Sequence, residues 1–157
     1  PFKLCKDIKK AVNIYIEAVR HGHVQAQFKL GKHYEDNQDY DRAIYWYTIA
    51  MKNGEVQAQY NLAAMYLFGK GVPQDTDKAI ELYTEMADKG LSNAQYNLGK
   101  IYETKKDYTK AIYWFTKLAE KGVLDAQNTL ASIYEELGDN NKSAYWSNLA
   151  KRNEDIW

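Results

Sequence analysis

Three histidines, a single cysteine and a lysine held between two glycines are the residues of this chain best able to do chemistry. His21 and His23 flank Gly22 across a helix end and a turn, with His33 further on. A metal ion would need more ligands converging there, and His21 is accounted for by the negative end of its helix. Cys5 lies beside Lys6, which can lower a thiol pKa, but no histidine is near it in sequence to act as a base, so it reads as an incidental thiol. Gly69-Lys70-Gly71 lacks both the Walker spacing and the preceding strand of a phosphate loop. It reads as a turn that swings the chain between helices, with Val72 packing inward and Pro73 stiffening the return. The remaining carboxylates sit at caps and on exposed faces. These residues point to no catalytic centre, no metal and no cofactor.

What they sit on is a repeat. Ala-Gln recurs at Ala26-Gln27, Ala58-Gln59, Ala94-Gln95 and Ala126-Gln127, with spacings of 32, 36 and 32 residues. A tyrosine follows each at Tyr34, Tyr66, Tyr102 and Tyr134, then a small residue at Ala43, Ala79, Ala111 and Ser143, which Ala11 matches at the start of the chain. Four residues ahead of each small residue is an aspartate: Asp7, Asp39, Asp75, Asp107 and Asp139. Eleven residues after the first four small positions come Gly22, Gly54, Gly90 and Gly122, while the fifth unit has Glu154. Aspartate accepts hydrogen bonds from the free N–H groups that open a helix, and glycine tolerates the left-handed turn that closes one. The spacing therefore predicts a helix B of about fifteen residues in each unit. The stretch from Ala-Gln to the tyrosine, with apolar residues at Ala94, Leu98, Ile101 and Tyr102, predicts a shorter helix A.

The pattern AQ-x-x-LG-x-x-Y, then KA-x-x-WY/F, then A-x-x-G, resembles the Sel-one-like repeat (SLR), a helical-hairpin relative of the tetratricopeptide repeat. The resemblance covers residues 7 to 153, and GKGVPQD at 69 to 75 matches the longer loop of that family in one unit, the others being four residues shorter. It implies an all-α, right-handed solenoid of antiparallel hairpins forming one repeat domain over 1–157. The units are a half repeat at 1–22, holding helix B only, and full repeats at 23–54, 55–90, 91–122 and 123–157. The half repeat predicts a fragment of a longer array. Unpaired apolar faces at the ends, where Phe2, Leu4, Ile156 and Trp157 lie, predict weak self-association.

Composition narrows the partners. Lys plus Arg and Asp plus Glu are both 21, a formal net charge of zero, so no broad field draws nucleic acid or an acidic membrane. Only Arg20, Arg42 and Arg152 offer the planar fork suited to phosphate. No run reaches the ~18 apolar residues of a membrane span. One cysteine permits no internal disulfide, which fits a reducing compartment such as the cytoplasm without excluding a secreted or periplasmic one. Exported SLR proteins that staple their hairpins use cysteine pairs that this chain lacks.

The resemblance also implies a non-catalytic scaffold that holds a peptide or partner protein along a concave groove lined by A helices. The residues that this places there are Phe28, Lys29 and Lys32, then Tyr60, Asn61 and Ala64, then Tyr96, Asn97 and Lys100, with Asn128 in the last unit. Asparagine offers a donor and an acceptor to a peptide unit, tyrosine and phenylalanine offer apolar area at low entropy cost, and the lysines can meet a carboxylate. Tyr60 and Tyr96 serve equally well as supports for neighbouring helices. Other readings of the same array are an oligomerisation module, or a regulatory repeat domain of a longer protein whose activity lies elsewhere.

Two columns of helix B read as packing positions: Ile14, Trp46, Leu82, Trp114 and Trp146, and beside them Val12, Ile44, Ile80, Ile112 and Ala144. The glutamines next to each alanine read as structural, satisfying backbone groups at the turns. Ser147 and Lys151 replace apolar residues of the other copies, as a partial cap would. Trp114→Ala is expected to cost about 3 to 5 kcal/mol as a buried aromatic truncation. Tyr113→Ala, one residue away, should cost little. Equal loss of thermal stability in the two variants would refute this assignment of faces.

Overall fold

The structure is a computed structural model, and it describes residues 12–154. Helical residues 12–20 form α1. They are followed by α2 (Val24–Asp36), α3 (Tyr40–Lys52), α4 (Val56–Phe68), α5 (Thr76–Asp88), α6 (Ser92–Thr104), α7 (Tyr108–Ala119), α8 (Leu124–Glu136) and α9 (Asn140–Glu154). No strand occurs among the described residues. The expected all-α architecture of A–B hairpins is the observed one, with α2–α3, α6–α7 and α8–α9 as packed pairs. The chain divides within α5 into two compact units, Pro1–Leu82 and Tyr83–Trp157. Asp7, Ala11, Cys5 and the end residues Phe2, Leu4, Ile156 and Trp157 lie outside the described residues.

The caps account for where helices start. Asp39, Asp75, Asp107 and Asp139 each accept a hydrogen bond from the backbone N–H three residues on, at 3.3, 2.8, 3.2 and 3.1 Å. Three of them also pair with the side chain of that residue, Arg42, Lys110 or Lys142. The same cations lie 5.3, 5.0 and 5.0 Å from the ring centroids of Tyr34, Tyr102 and Tyr134, which gives the tyrosine column its role: it clamps the cap of the next helix. Gly54, Gly90 and Gly122 close the B helices at φ +89°, +87° and +84°. The three short A–B turns need a second left-handed residue just before the cap aspartate. Gln38 and Lys106 take it at φ 61° and 57°, and only the last unit uses a glycine, Gly138.

Buried glutamines tie the A helices to B helices, three of them, Gln27, Gln95 and Gln127, at B-helix ends. Gln95 and Gln127 donate to the carbonyls of Ala87 and Ala119 at 3.0 and 2.9 Å. Their own oxygens accept from Lys121 at 3.3 Å and Asn153 at 3.1 Å, and that of Gln27 accepts from Asn53 at 2.9 Å. Gln59 donates to the Leu82 carbonyl at 3.2 Å. The glutamine column is structural, as its recurrence implied.

The core columns need correcting. Leu82 and Trp114 are buried, but Trp46 and Trp146 are half-buried and Ile14 is 57% exposed. In the adjoining column Val12, Ile44, Ile80 and Ile112 are half-buried and Ala144 is exposed. The fully enclosed positions are Tyr47, Tyr83 and Phe115, one residue beyond the tryptophans. A helix turns about 100° per residue, so one stripe of a B helix faces its A helix squarely and the positions on either side are covered only in part. Tyr113 is exposed, as expected, and so is Tyr45. Val72, half-buried, only partly packs inward.

Close approach of the A helix to that enclosed ring sets the hairpin geometry. A Cβ on Gly31 would stand 2.5 Å from Tyr47 Cδ1, and one on Gly99 would stand 2.7 Å from the Phe115 ring. Both rings are fully buried and have nowhere to retreat. Gly99→Ala should therefore destabilise the chain by about 1 to 3 kcal/mol through overpacking, against the usual helix-propensity gain of that substitution. Chemical denaturation of Gly99→Ala, with Phe115→Leu as a second-site change that relieves it, checks the direction.

Candidate functional site: the A-helix faces

In the first unit the expected residues converge on Tyr47. The Phe28 ring lies 5.9 Å from that of Tyr47. The carboxamide of Asn61 donates to Tyr47 Oη at 3.0 Å. The Tyr47 hydroxyl in turn donates to Glu35 Oε2 at 2.7 Å, and Lys70 donates to Glu35 Oε1 at 2.9 Å. Residues from α2, α3, α4 and the loop after α4 thus share one polar chain, and its hydroxyl proton has a fixed direction. Gly71 packs so closely on Tyr40 that a Cβ would fall 2.1 Å from Tyr40 Cβ, and Lys70 lies 5.6 Å from the centroid of the Tyr40 ring. The GKG loop is therefore fastened to the first hairpin.

Electrostatics follow from this chain. Burial, then the hydrogen bond to Glu35, raise the Tyr47 pKa far above that of a free phenol, so it stays a neutral donor. Burial alone would raise the Glu35 pKa, but the hydrogen bonds from Lys70 and Tyr47 outweigh it and hold the carboxyl below its ordinary 4.5. Lys70 is raised by its bond to Glu35.

The other expected residues of this unit are placed as follows. Lys32 pairs with Asp36 at 2.9 Å, and that bond raises its pKa. Lys29 is exposed, with its amine 5.7 Å from the centroid of the Tyr15 ring. Tyr60 and Ala64 are half-buried.

The second unit presents a simpler face. Tyr96 meets Phe115 edge-on at 5.8 Å, so the ring supports the core as well as lining the surface. Asn97 is half-buried and Asn128 is exposed. Lys100 lies 2.6 Å from Glu103, which stands at the register position of Glu35. Phe115 carries no hydroxyl to hold that glutamate, so the polar chain of the first unit has no counterpart here.

Sequence reasoning missed Glu35, Tyr47 and Lys70. The readable signals were the GKG loop in one unit alone and the change from tyrosine at 47 to phenylalanine at 115. Among the described residues no group of three or more His, Cys, Asp or Glu side chains is placed to hold a metal ion, and no helix is long and apolar enough to cross a membrane.

Comparisons with known proteins agree with the hairpin register. The Sel1 repeat family matches residues 56–91 and 92–123, and the tetratricopeptide repeat family matches residues 7–56. No curated protein matches the chain in sequence. Among solved structures, a protective antigen with an SLR fold from uropathogenic Escherichia coli is 31% identical, with a TM-score of 0.69 over 88% of this chain and 32% of that one. A Sel1 repeat protein from Oxalobacter formigenes is 28% identical, with a TM-score of 0.67 over 90% of this chain and 63% of that one. The chain thus spans a third to under two thirds of these relatives. MamA shares the fold at a TM-score of 0.71 and 20% identity, over 98% of this chain and 92% of that one.

Tyr47→Phe strips a partner from both Asn61 and the Glu35 carboxylate, and should cost about 1 to 3 kcal/mol. Because the folded pKa of Glu35 is depressed, its contribution is present at neutral pH and is lost as pH falls from 4.5 through the lower folded value. The gap in melting temperature between the wild type and Lys70→Ala should therefore close on acidification, a trend that melts at a series of pH values will show.

Proposed function

We propose that this chain, a repeat protein built of Sel1-like and tetratricopeptide-like hairpins, is a non-catalytic scaffold that captures a peptide segment or partner protein on the exposed face of its A helices. One observation carries the reading: in the first unit Phe28 meets the ring and Asn61 the hydroxyl of the same Tyr47, so an apolar ring and an amide stand together on an internally braced surface. A preorganised face of that kind loses little conformational freedom on binding. Phe28, Lys29, Lys32, Tyr60, Asn61 and Ala64 form the face in one unit, and Tyr96, Asn97, Lys100 and Asn128 form it in the other.

The ion pairs refine the chemistry of the partner. Lys32 and Lys100 are already matched by Asp36 and Glu103, so a partner carboxylate would compete with an internal one. Contact with a neutral polar backbone and apolar side chains suits the face better than simple charge attraction.

Exposed residues give the cleanest test, because Asn61 also braces the fold. With a partner captured on the purified chain, Lys29→Ala and Asn128→Ala should leave the melting temperature unchanged and weaken binding by about 0.5 to 1.5 kcal/mol each. Tyr45→Ala and Tyr113→Ala on the B helices should leave calorimetric affinity unaltered. The opposite pattern would move the interface to the B helices.

A further inference from the structure

Three B helices carry an adjacent tyrosine and tryptophan, and the three pairs have nearly the same shape. Tyr45–Trp46, Tyr113–Trp114 and Tyr145–Trp146 meet edge to face with centroids 5.1, 4.9 and 5.1 Å apart, and the tyrosines are 59%, 52% and 60% exposed. On α7 this pair is filled from its own helix. The Lys117 amine lies 4.4 Å from the centroid of Tyr113 and 4.9 Å from that of Trp114, so the pair is shown to accept an alkylammonium ion.

On α9 the residue in the register of Lys117 is Leu149, which brings no charge. The Tyr145–Trp146 pair there opens on a cleft of about 510 Å³ between α9 and the end of α7, lined also by Glu120, Lys121, Leu149 and Asn153. Lys121 is turned to Gln95 at 3.3 Å and to the Gly90 carbonyl at 3.4 Å, and Asn153 to Gln127 at 3.1 Å, so both are already engaged. Glu120 is exposed and sits at the carbonyl end of α7, where the helix dipole adds negative potential.

The other units vary the same parts in a telling way. The counterpart of Glu120 before the Lys117 pair is Asp88, an acid again, and there the chain supplies its own ammonium. Before Tyr45–Trp46 the counterpart is Arg20, a base, and Ile49 stands in the place of Lys117. Only the α7–α9 cleft combines the aromatic pair and an acid with no ammonium at that register position.

We propose that the α7–α9 cleft is a second binding site, on the B-helix side of the last two hairpins, which takes the ammonium group of a lysine side chain from a partner protein. The ammonium lies against Tyr145 and Trp146 as Lys117 lies against its own pair, Glu120 supplies the counter-charge, and the aliphatic stem packs on Leu149. The cleft is several times larger than such a side chain, which leaves room for the flanking backbone of the partner.

The test is a nitrogen-15 NMR titration of the full chain with acetyl-Gly-Lys-Gly-amide, set against the same peptide with norleucine in place of lysine. The lysine peptide should shift the Trp146 indole and the Gly122 amide saturably, with a dissociation constant of roughly 1 to 30 mM for an ammonium held by two rings and a counter-ion. Glu120→Lys should weaken it at least about five-fold, as expected when a like charge replaces the counter-ion. Leu149→Lys should abolish the shifts by filling the cleft from within. Equal shifts with the norleucine peptide, an absence of saturable shifts, or a Glu120→Lys variant that binds as well as the wild type would each overturn the proposal. Should Leu149→Lys fail to fold, Glu120→Lys still decides, because that side chain is exposed.

Discussion

The structure depends on one steric constraint: a large ring on each of two B helices is buried completely against a glycine of the helix before it. Tyr47 against Gly31 and Phe115 against Gly99 are the two instances, and in each the backbone of the A helix is within contact distance of the ring. That approach explains the small residues around it, since Ala26, Ala43, Ala94 and Ala111 are buried where larger side chains would hold the helices apart. The last unit is released from the constraint: Ser147 stands at the register of Phe115, so no ring opposes the methyl of Ala131 at the register of Gly99.

A single oxygen then divides the two units. The hydroxyl of Tyr47 is half-way along a chain from Asn61 to Glu35 and Lys70, and once buried it must keep those partners. The longer loop after α4 brings Lys70 to the chain, and its glycine at 71 lets the backbone lie on Tyr40. Phe115 makes no such demand, so Glu103 turns to Lys100 on its own helix. The longer loop and the tyrosine are two parts of one arrangement, although about twenty residues of sequence lie between Tyr47 and Gly69.

This is also where legibility in the sequence divides. Caps and closing glycines act through the backbone within a few residues, so Asp39, Asp107, Gly54 and Gly122 could be read from spacing alone. The buried glutamines were legible for a related reason, as Gln95 and Gln127 serve the same carbonyl in successive units, although Gln59 reaches a different one. Choosing between adjacent columns was not possible in this way. Tryptophan is the larger apolar residue, yet a rotation of one residue on the helix decides whether Trp46 or Tyr47 meets the glycine, and Tyr47 does. The contact between Glu35 and Lys70 spans 35 positions and belongs to a single unit, so no repetition could reveal it. The expected A-helix residues are partly committed to the fold for the same reason: Phe28, Asn61 and Tyr96 each brace a buried ring.

Charge on this chain is neutralised locally, and that shapes what it can recognise. Arg42, Lys110 and Lys142 pair with the aspartate that caps their own helix, Lys32 with Asp36, and Lys100 with Glu103, all within one turn. Exposed pairs of this kind add little stability, but together with a net charge of zero they leave a weak field at distance. Long-range steering therefore contributes little to finding a partner, and discrimination falls to groups met at contact. Charges outside such pairs stand out against this background. Lys29 rests on a tyrosine ring beside the A-helix face, and Glu120 borders an open aromatic cleft on the other side of a hairpin. In a surface that is otherwise self-satisfied, a charge placed next to an aromatic ring is where a partner of opposite sign gains most, because the ring limits the access of water and lets the attraction act at close range.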